Sequence, residues 1–220
     1  MGLTTSTGKD VGHIGIDLDT LPPFEEGAIN LHAWFDKERQ NLPLDLEIGS
    51  GKGTFLVKQA TAVPDVNYIG LEYARAYWRH AADRLRRHGI QNVRMLPGEA
   101  GFFIRNYVPH QSLTQVHIYF PDPWPKARHN KRRLVQAPFL ELLHAKLKKP
   151  APGVQICLAT DHLDYFHWME DHASQVAHLF ERLPFQSPKA AAQGEMVGTN
   201  FEAKYRQEGR TFNGMILKKK

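Results

Sequence analysis

The sequence predicts an α/β fold, an open and mostly parallel sheet with helices on both faces. Three observations carry that expectation. From Leu44 onward, short β-rich apolar runs alternate with stretches of helical periodicity, the order that strand–helix–strand crossovers produce. The first run leads into the glycine turn Gly49-Ser50-Gly51-Lys52-Gly53, which suits a tight passage from strand to helix. At or just beyond the ends of the expected strands stand the acids Glu47, Glu72, Glu99, Asp122 and Asp161, on the edge where ligands of such sheets bind.

In chain order, residues 44–48 read as the first strand, followed after the turn by a helix over 54–62. A second strand is expected at 68–71, then a helix over 74–88 bearing Arg75, Arg79, Arg84, Arg86 and Arg87. Strands follow at 93–96 and 116–120, the latter ending at Pro121, which fixes φ and offers no backbone donor. A helix over 134–147, a strand over 154–159 and a helix over 165–180 come next. The tail holds a helix over 199–206 and a last strand over 211–217. Residues 1–30, rich in Gly, Thr and Asp with Pro22-Pro23, read as a flexible N-terminal arm, leaving 31–220 as a single domain.

The composition fits that division, since 220 residues at 42% hydrophobic suffice for one full core. A net charge of +5 is compatible with a nucleic-acid partner without requiring one. The lone Cys157, placed within a strand pattern, excludes an internal disulfide and a Cys-built zinc site, and suggests a reducing compartment. The histidines form neither His-x-His nor His-Glu-x-x-His, so no metal is expected. With no bilayer-length apolar run and no signal-peptide core, the expectation is a cytoplasmic protein with no membrane partner.

The glycine turn admits several readings. As a phosphate loop it lacks the Walker spacing and sets Glu47 against polyphosphate oxygens. As a dinucleotide site it has Gly-x-Gly-x-Gly instead of Gly-x-Gly-x-x-Gly, although Glu72 stands where ribose hydroxyls are held. S-adenosylmethionine has a ribose, a cationic sulfonium and no phosphate, and an acid before the glycines suits it. A tight turn with no ligand is the structural alternative.

The run Pro121-Asp122-Pro123-Trp124-Pro125-Lys126, followed by Arg128-His129-Asn130-Lys131-Arg132-Arg133, is more specific. Prolines stiffen the loop around one carboxylate, and a cluster of cations stands beside it. Holding a polyanion against a reactive site is a task for which that combination is suited. Trp124 could either stack on a base or pin the loop to the core.

Together, Glu-Ile-Gly-x-Gly-x-Gly, Gly70-Leu71-Glu72, the Pro121–Arg133 block, Thr160-Asp161 and Thr199-Asn200-Phe201-Glu202 resemble the tRNA (guanine-N7)-methyltransferase family from about Leu44 to the C-terminus. The resemblance implies a class I, Rossmann-like methyltransferase fold: a seven-stranded, mostly parallel sheet with one reversed strand near the end. It implies methyl transfer from S-adenosylmethionine to N7 of a guanosine in the tRNA variable loop, by a monomer or homodimer. Glu47, Gly49 and Gly51 would face the methionine part of the cofactor, Glu72 its ribose, and Glu99 and Ala100 its adenine. Asp122 would be the active-site acid, also against the cofactor. Lys126, Asp161, Thr199, Asn200, Phe201 and Glu202 match substrate-contact positions. Arg128, His129, Lys131, Arg132 and Arg133 match the RNA-binding segment.

Two features depart from the family pattern. Glu99 stands where relatives usually have Asp or Asn, one methylene shorter, and Phe24-Glu25-Glu26-Gly27 is acidic where relatives often carry an arginine-rich segment. Purely local readings also stand beside the implied roles, because Thr199-x-x-Glu202 is a capping box and Asp161 could cap the helix after it. The rival functions are a same-fold methyltransferase acting on another RNA or a small molecule, and a non-catalytic RNA-binding relative.

Overall fold

A computed structural model describes residues 9–220. Seven strands form one sheet in the order β3-β2-β1-β4-β5-β7-β6. They are β1 (Leu44–Ile48), β2 (Asn67–Glu72), β3 (Val93–Pro97), β4 (Gln115–Tyr119), β5 (Gln155–Thr160), β6 (Phe180–Pro184) and β7 (Asn213–Lys219). Strand β1 pairs in parallel with both β2 and β4, whereas β7 runs antiparallel to β5 and β6. The chain winds outward from β1 to β3 and then returns to place β4 against the other side of β1. The switch point of the sheet therefore lies between β1 and β4, where ligands of such folds bind beyond the carboxyl ends.

Six helices cover the two faces: α1 (Thr54–Ala62), α2 (Arg75–Arg87), α3 (Ala100–Asn106), α4 (Ala137–Lys146), α5 (Leu163–Gln175) and α6 (Asn200–Gln207). Helix α2 buries Trp78, Ala81, Ala82 and Leu85, a 3–4 spacing that makes one apolar stripe. With Phe55 and Leu56 of α1, that stripe packs on one face of the sheet. Phe103 and Ile104 of α3, Leu140 and Leu143 of α4, and Tyr165 and Met169 of α5 pack on the other. Covered on both sides, β1 is buried along its whole length. No helix among the described residues is long and apolar enough to cross a membrane.

Three expectations need correction. The segment read as a loose arm is, over residues 9–30, packed on the body. Ile14 is fully buried, Met95 N–H donates to its carbonyl at 2.7 Å, and Ile16 N–H donates back to Met95 at 2.9 Å. The segment thus covers the open edge of β3, and Ile16, Leu18, Leu21 and Ile29 join the core. Residues 1–8 of that arm lie outside the described residues. Helix α3, short and following Gly98, was not anticipated; Glu99 caps it through Gly101 and Phe102 N–H. The helix expected over 165–180 stops at Gln175, and Phe180 opens the edge strand β6. Helix α4 begins at Ala137 instead of residue 134, because 127–132 forms a 3-10 turn and Arg133 is extended.

Candidate active site

The glycine turn leaves β1 with Gly49, Gly51 and Gly53 at φ of 81°, 53° and 71°, left-handed values that glycine reaches without strain. A Cβ on Gly53 would meet Ala81 Cβ at 3.0 Å, so this position also lets α1 approach α2. From the end of β2, Glu72 ties the turn in place, accepting from Gly51 N–H at 2.7 Å and from Ala74 N–H at 2.9 Å.

Glu47 is 3% exposed, and its Oε2 has no hydrogen-bond partner. Burial pushes its carboxyl up to about 7, with Ser50 and His117 pulling the other way and Glu72 adding to the rise. His117 stands opposite Glu47 in the β1–β4 register. Its Nδ1 meets Tyr119 Oη at 2.9 Å, and its Nε2 faces Asp45 Oδ2 at 3.5 Å. Burial, the largest single influence, opposes protonation of this imidazole, but Asp45 and Cys157 together outweigh it and the net shift is upward. The cleft above holds Glu47, Ser50, Lys52 and Tyr119, closed by the first turn of α6. The Ser50 hydroxyl is buried there without a partner as well.

The adjacent strand, β4, runs into the proline loop. Phe120 and Trp124 adopt φ of 52° and 45°, unfavourable for residues with a Cβ, and such strain collects at functional sites. Between them Asp122 stands exposed at the carboxyl edge of the sheet. Lys126, Arg128, Lys131 and Arg132 are also exposed, and none forms an ion pair among the described residues. Trp124 is half-buried, with the His129 ring edge-on at 5.9 Å and the Arg132 guanidinium over its face at 5.0 Å. It belongs to the loop's own packing.

Arg133 departs from its expected role. It is 1% exposed, stacked against Tyr165 and Trp168, paired with Asp164, and its Nε donates to the Pro123 carbonyl at 2.8 Å. A guanidinium held in this way cannot grip an RNA phosphate. It braces the loop that carries Asp122 against α5.

Thr199 caps α6, accepting from Glu202 N–H at 3.0 Å. Glu202 does not reach back to the cap residue, as a capping box requires. Buried at 1% exposure, it accepts from Met196, Val197 and Gly198 N–H at 2.5, 2.7 and 2.7 Å and pairs with Arg206. It therefore fixes the loop before α6 and does not face a substrate. Phe201 leans over the glycine turn, 3.5 Å from where a Cβ on Gly51 would lie, and Asn200 is exposed beside it. Asp161 pairs with Arg210 at 2.5 Å, while His162, not Asp161, caps α5. Glu99 serves as the α3 cap with Ala100 buried behind it.

Glu47, the glycine turn, Glu72, Asp122 and the start of α6 thus share one edge of the sheet. Lys52, His117 and Tyr119 were not anticipated there. The available signal was the alternation His117-Ile118-Tyr119, which sends two polar side chains to one face of an otherwise apolar strand.

This sheet order, with β7 reversed and a glycine turn after β1, defines a class I methyltransferase. A family model described as "Putative methyltransferase" matches residues 41–215. The 16S rRNA methyltransferase KamB superposes with a TM-score of 0.55 at 13% identity, covering 84% of this chain and 94% of that one. A tRNA (m1A58) methyltransferase from Aquifex aeolicus gives 0.51 at 15% identity, over 82% and 64%. Sequence relatives are nearer. The tRNA (guanine-N(7)-)-methyltransferase of Nitrosococcus oceani is 37% identical over 94% of this chain and 82% of its own length. That of Nitrosomonas eutropha is 34% identical over 90% and 84%. The chain belongs to the tRNA (guanine-N7)-methyltransferase family.

Proposed function

We propose that this enzyme methylates N7 of a guanosine in the tRNA variable loop with S-adenosylmethionine as donor. The observation that carries this reading is a cleft with an unpartnered buried carboxylate at Glu47, set beside an exposed carboxylate on a stiffened loop with free cations next to it. The orphaned Glu47 Oε2 and Ser50 Oγ suit a cationic, hydroxyl-bearing ligand and disfavour a polyphosphate. Glu47, Ser50 and the glycine turn would hold the methionine end of the cofactor, Glu72 the ribose, and Glu99 and Ala100 would border the adenine. When bound, this cofactor supplies an electrophilic methyl group on a sulfonium.

Guanine N7 has an in-plane lone pair and no proton at neutral pH, so no side chain has to serve as general base. The protein's contribution is alignment and preorganised charge. Asp122 accepts hydrogen bonds from the Watson–Crick edge of the guanine and favours the cationic purine that forms. The strained, Arg133-braced loop holds that carboxylate in place. Arg128, Lys131 and Arg132 neutralise phosphates, which gives affinity and register without sequence information. Lys126 of the loop and Asn200 and Phe201 of α6 border the base, with Asp161, held by Arg210, beyond the end of β5.

The test combines purified protein, labelled cofactor and unmodified tRNA with borohydride–aniline cleavage at N7-methylguanosine. Cleavage in the variable loop is expected, and cleavage elsewhere, or none, overturns the assignment. Asp122→Asn should lower the single-turnover rate by about 10²–10³, the range for removing one preorganised electrostatic group. A normal rate removes Asp122 from the chemistry.

A further inference from the structure

The charges of α2 divide into two sets. Arg75 pairs with Asp17, and Arg86 and Arg87 share Asp83 at 3.0 Å each. Around the glycine turn the pattern changes. Lys52 is exposed at the rim of the Glu47 cleft. Arg84 crosses from α2 to donate to Thr54 Oγ1 at 2.7 Å and to the Lys52 carbonyl at 3.5 Å. One turn earlier, His80 Nδ1 meets Lys9 Nζ at 3.0 Å. None of Lys9, Lys52 and Arg84 has a carboxylate partner among the described residues. Burial first, and then the charges of Lys9, Lys52, Arg84 and Arg87, hold the His80 imidazole below its ordinary range. The neutral ring accepts from Lys9 at Nδ1 and keeps an Nε2–H donor.

Like charges gathered without a counter-charge repel one another and weaken the fold unless an anion joins them. S-adenosylmethionine carries no phosphate, and its single carboxylate, at the end the glycine turn would hold, offers a partner to Lys52 at most, leaving Lys9 and Arg84, outside the lining of that cleft, without one. Their position is informative. Lys52 and Arg84 lie on the α1–α2 face of the sheet, whereas Arg128, Lys131 and Arg132 lead into α4 on the opposite face. The carboxyl edge with Glu47 and Asp122 runs between the two groups.

We propose that Lys9, Lys52 and Arg84, with His80 among them, form a second phosphate-binding surface for the tRNA, so that the RNA backbone is held on both sides of the reacting base. The proposal rests on tRNA being the substrate. It assigns the cluster to backbone phosphates and not to bases, since Lys9 and Arg84 stand outside the cleft and present charge without a pocket; the exposed ring of Tyr77, one turn before His80 on α2, borders them.

The test measures tRNA affinity across a KCl series for wild type, Lys9→Gln, the double variant Lys9→Gln/Lys52→Gln, and Lys131→Ala/Arg132→Ala. Each lost phosphate contact lowers the slope of log K against log[salt] by about 0.7–0.9. The Lys9→Gln/Lys52→Gln protein should show a slope lower by about 1.5, and Lys9→Gln about half of that change. Arg84→Lys, which keeps the charge, should retain the wild-type slope. Cofactor affinity is read by titration calorimetry on the same samples. An unchanged slope in the Lys9/Lys52 variants, with a lowered one in Lys131/Arg132, overturns this surface while leaving the substrate reading intact. A fall in cofactor affinity at unchanged slope also overturns it. Absence of salt-dependent tRNA binding by wild type overturns the substrate reading, and the second surface with it.

Discussion

The end of β1 and the first turn of α6 each bury a glutamate, and they treat it in opposite ways. Glu47 is 3% exposed and Glu202 is 1% exposed. Burial raises both, but Glu202 also receives three backbone N–H groups and Arg206, and its carboxyl ends below its ordinary range. Glu47 keeps an unpartnered oxygen and rises to about 7. A buried acid whose lone pairs are filled by the chain is a structural fastening. One left unfilled at a switch point is available to a ligand. The same contrast separates Arg133, enclosed by Tyr165, Trp168 and Asp164, from exposed Arg132 next to it.

The sharpest way to break the comparison is Glu202→Ala. Leaving three buried N–H groups and Arg206 without their acceptor should cost about 3–5 kcal/mol, seen as a fall in melting temperature of about 10 °C. A shift under about 2 °C would make Glu202 as free as Glu47.

A somewhat smaller effect is expected from Glu47, and it depends on pH. Its folded pKa is raised, so the native state favours the protonated form. That contribution is complete below the ordinary value of 4.5 and is lost as pH rises through about 7. Relative to Glu47→Gln, wild type should therefore lose about 3 kcal/mol between pH 4.5 and pH 8 in urea denaturation. Glu202 has the opposite sign, since its depressed pKa gives stability that is present at neutral pH and lost as acid protonates it. Parallel stability curves for wild type and Glu47→Gln would end the contrast.

The arginine pair offers the two remaining tests. Arg133→Ala should lower stability by about 2–3 kcal/mol while the salt slope of tRNA binding stays at its wild-type value. Arg132→Ala should do the reverse, changing stability by less than about 0.5 kcal/mol and lowering the slope by about 1. Equal salt slopes in the two variants would return Arg133 to the RNA surface.

Much of the frame was legible because it depends on local pattern. The apolar runs at β1 to β5 and β7, the α2 stripe and the glycine turn each report a single element's own burial and backbone need. Helix α3 and strand β6 were not legible for the same reason. The first depends on a cap that Glu99 supplies across Gly101, and β6 is an edge strand with only Phe180 deeply buried. Ile14 reads as part of a loose arm until β3 is present for it to cover.

For the site, the order of residues alone places the chemistry-bearing side chains at strand ends, and the Pro121–Arg133 block marks the family. That order could not decide which charges the fold would consume. Whether Glu47 or Glu202 keeps a free oxygen, and whether Arg132 or Arg133 reaches solvent, depends on partners distant in the chain, such as Asp164 and Tyr165 for Arg133. Adjacent residues of one type have the same intrinsic chemistry. Only tertiary packing, by desolvating one and supplying its hydrogen bonds, makes one a brace and leaves the other to meet a ligand.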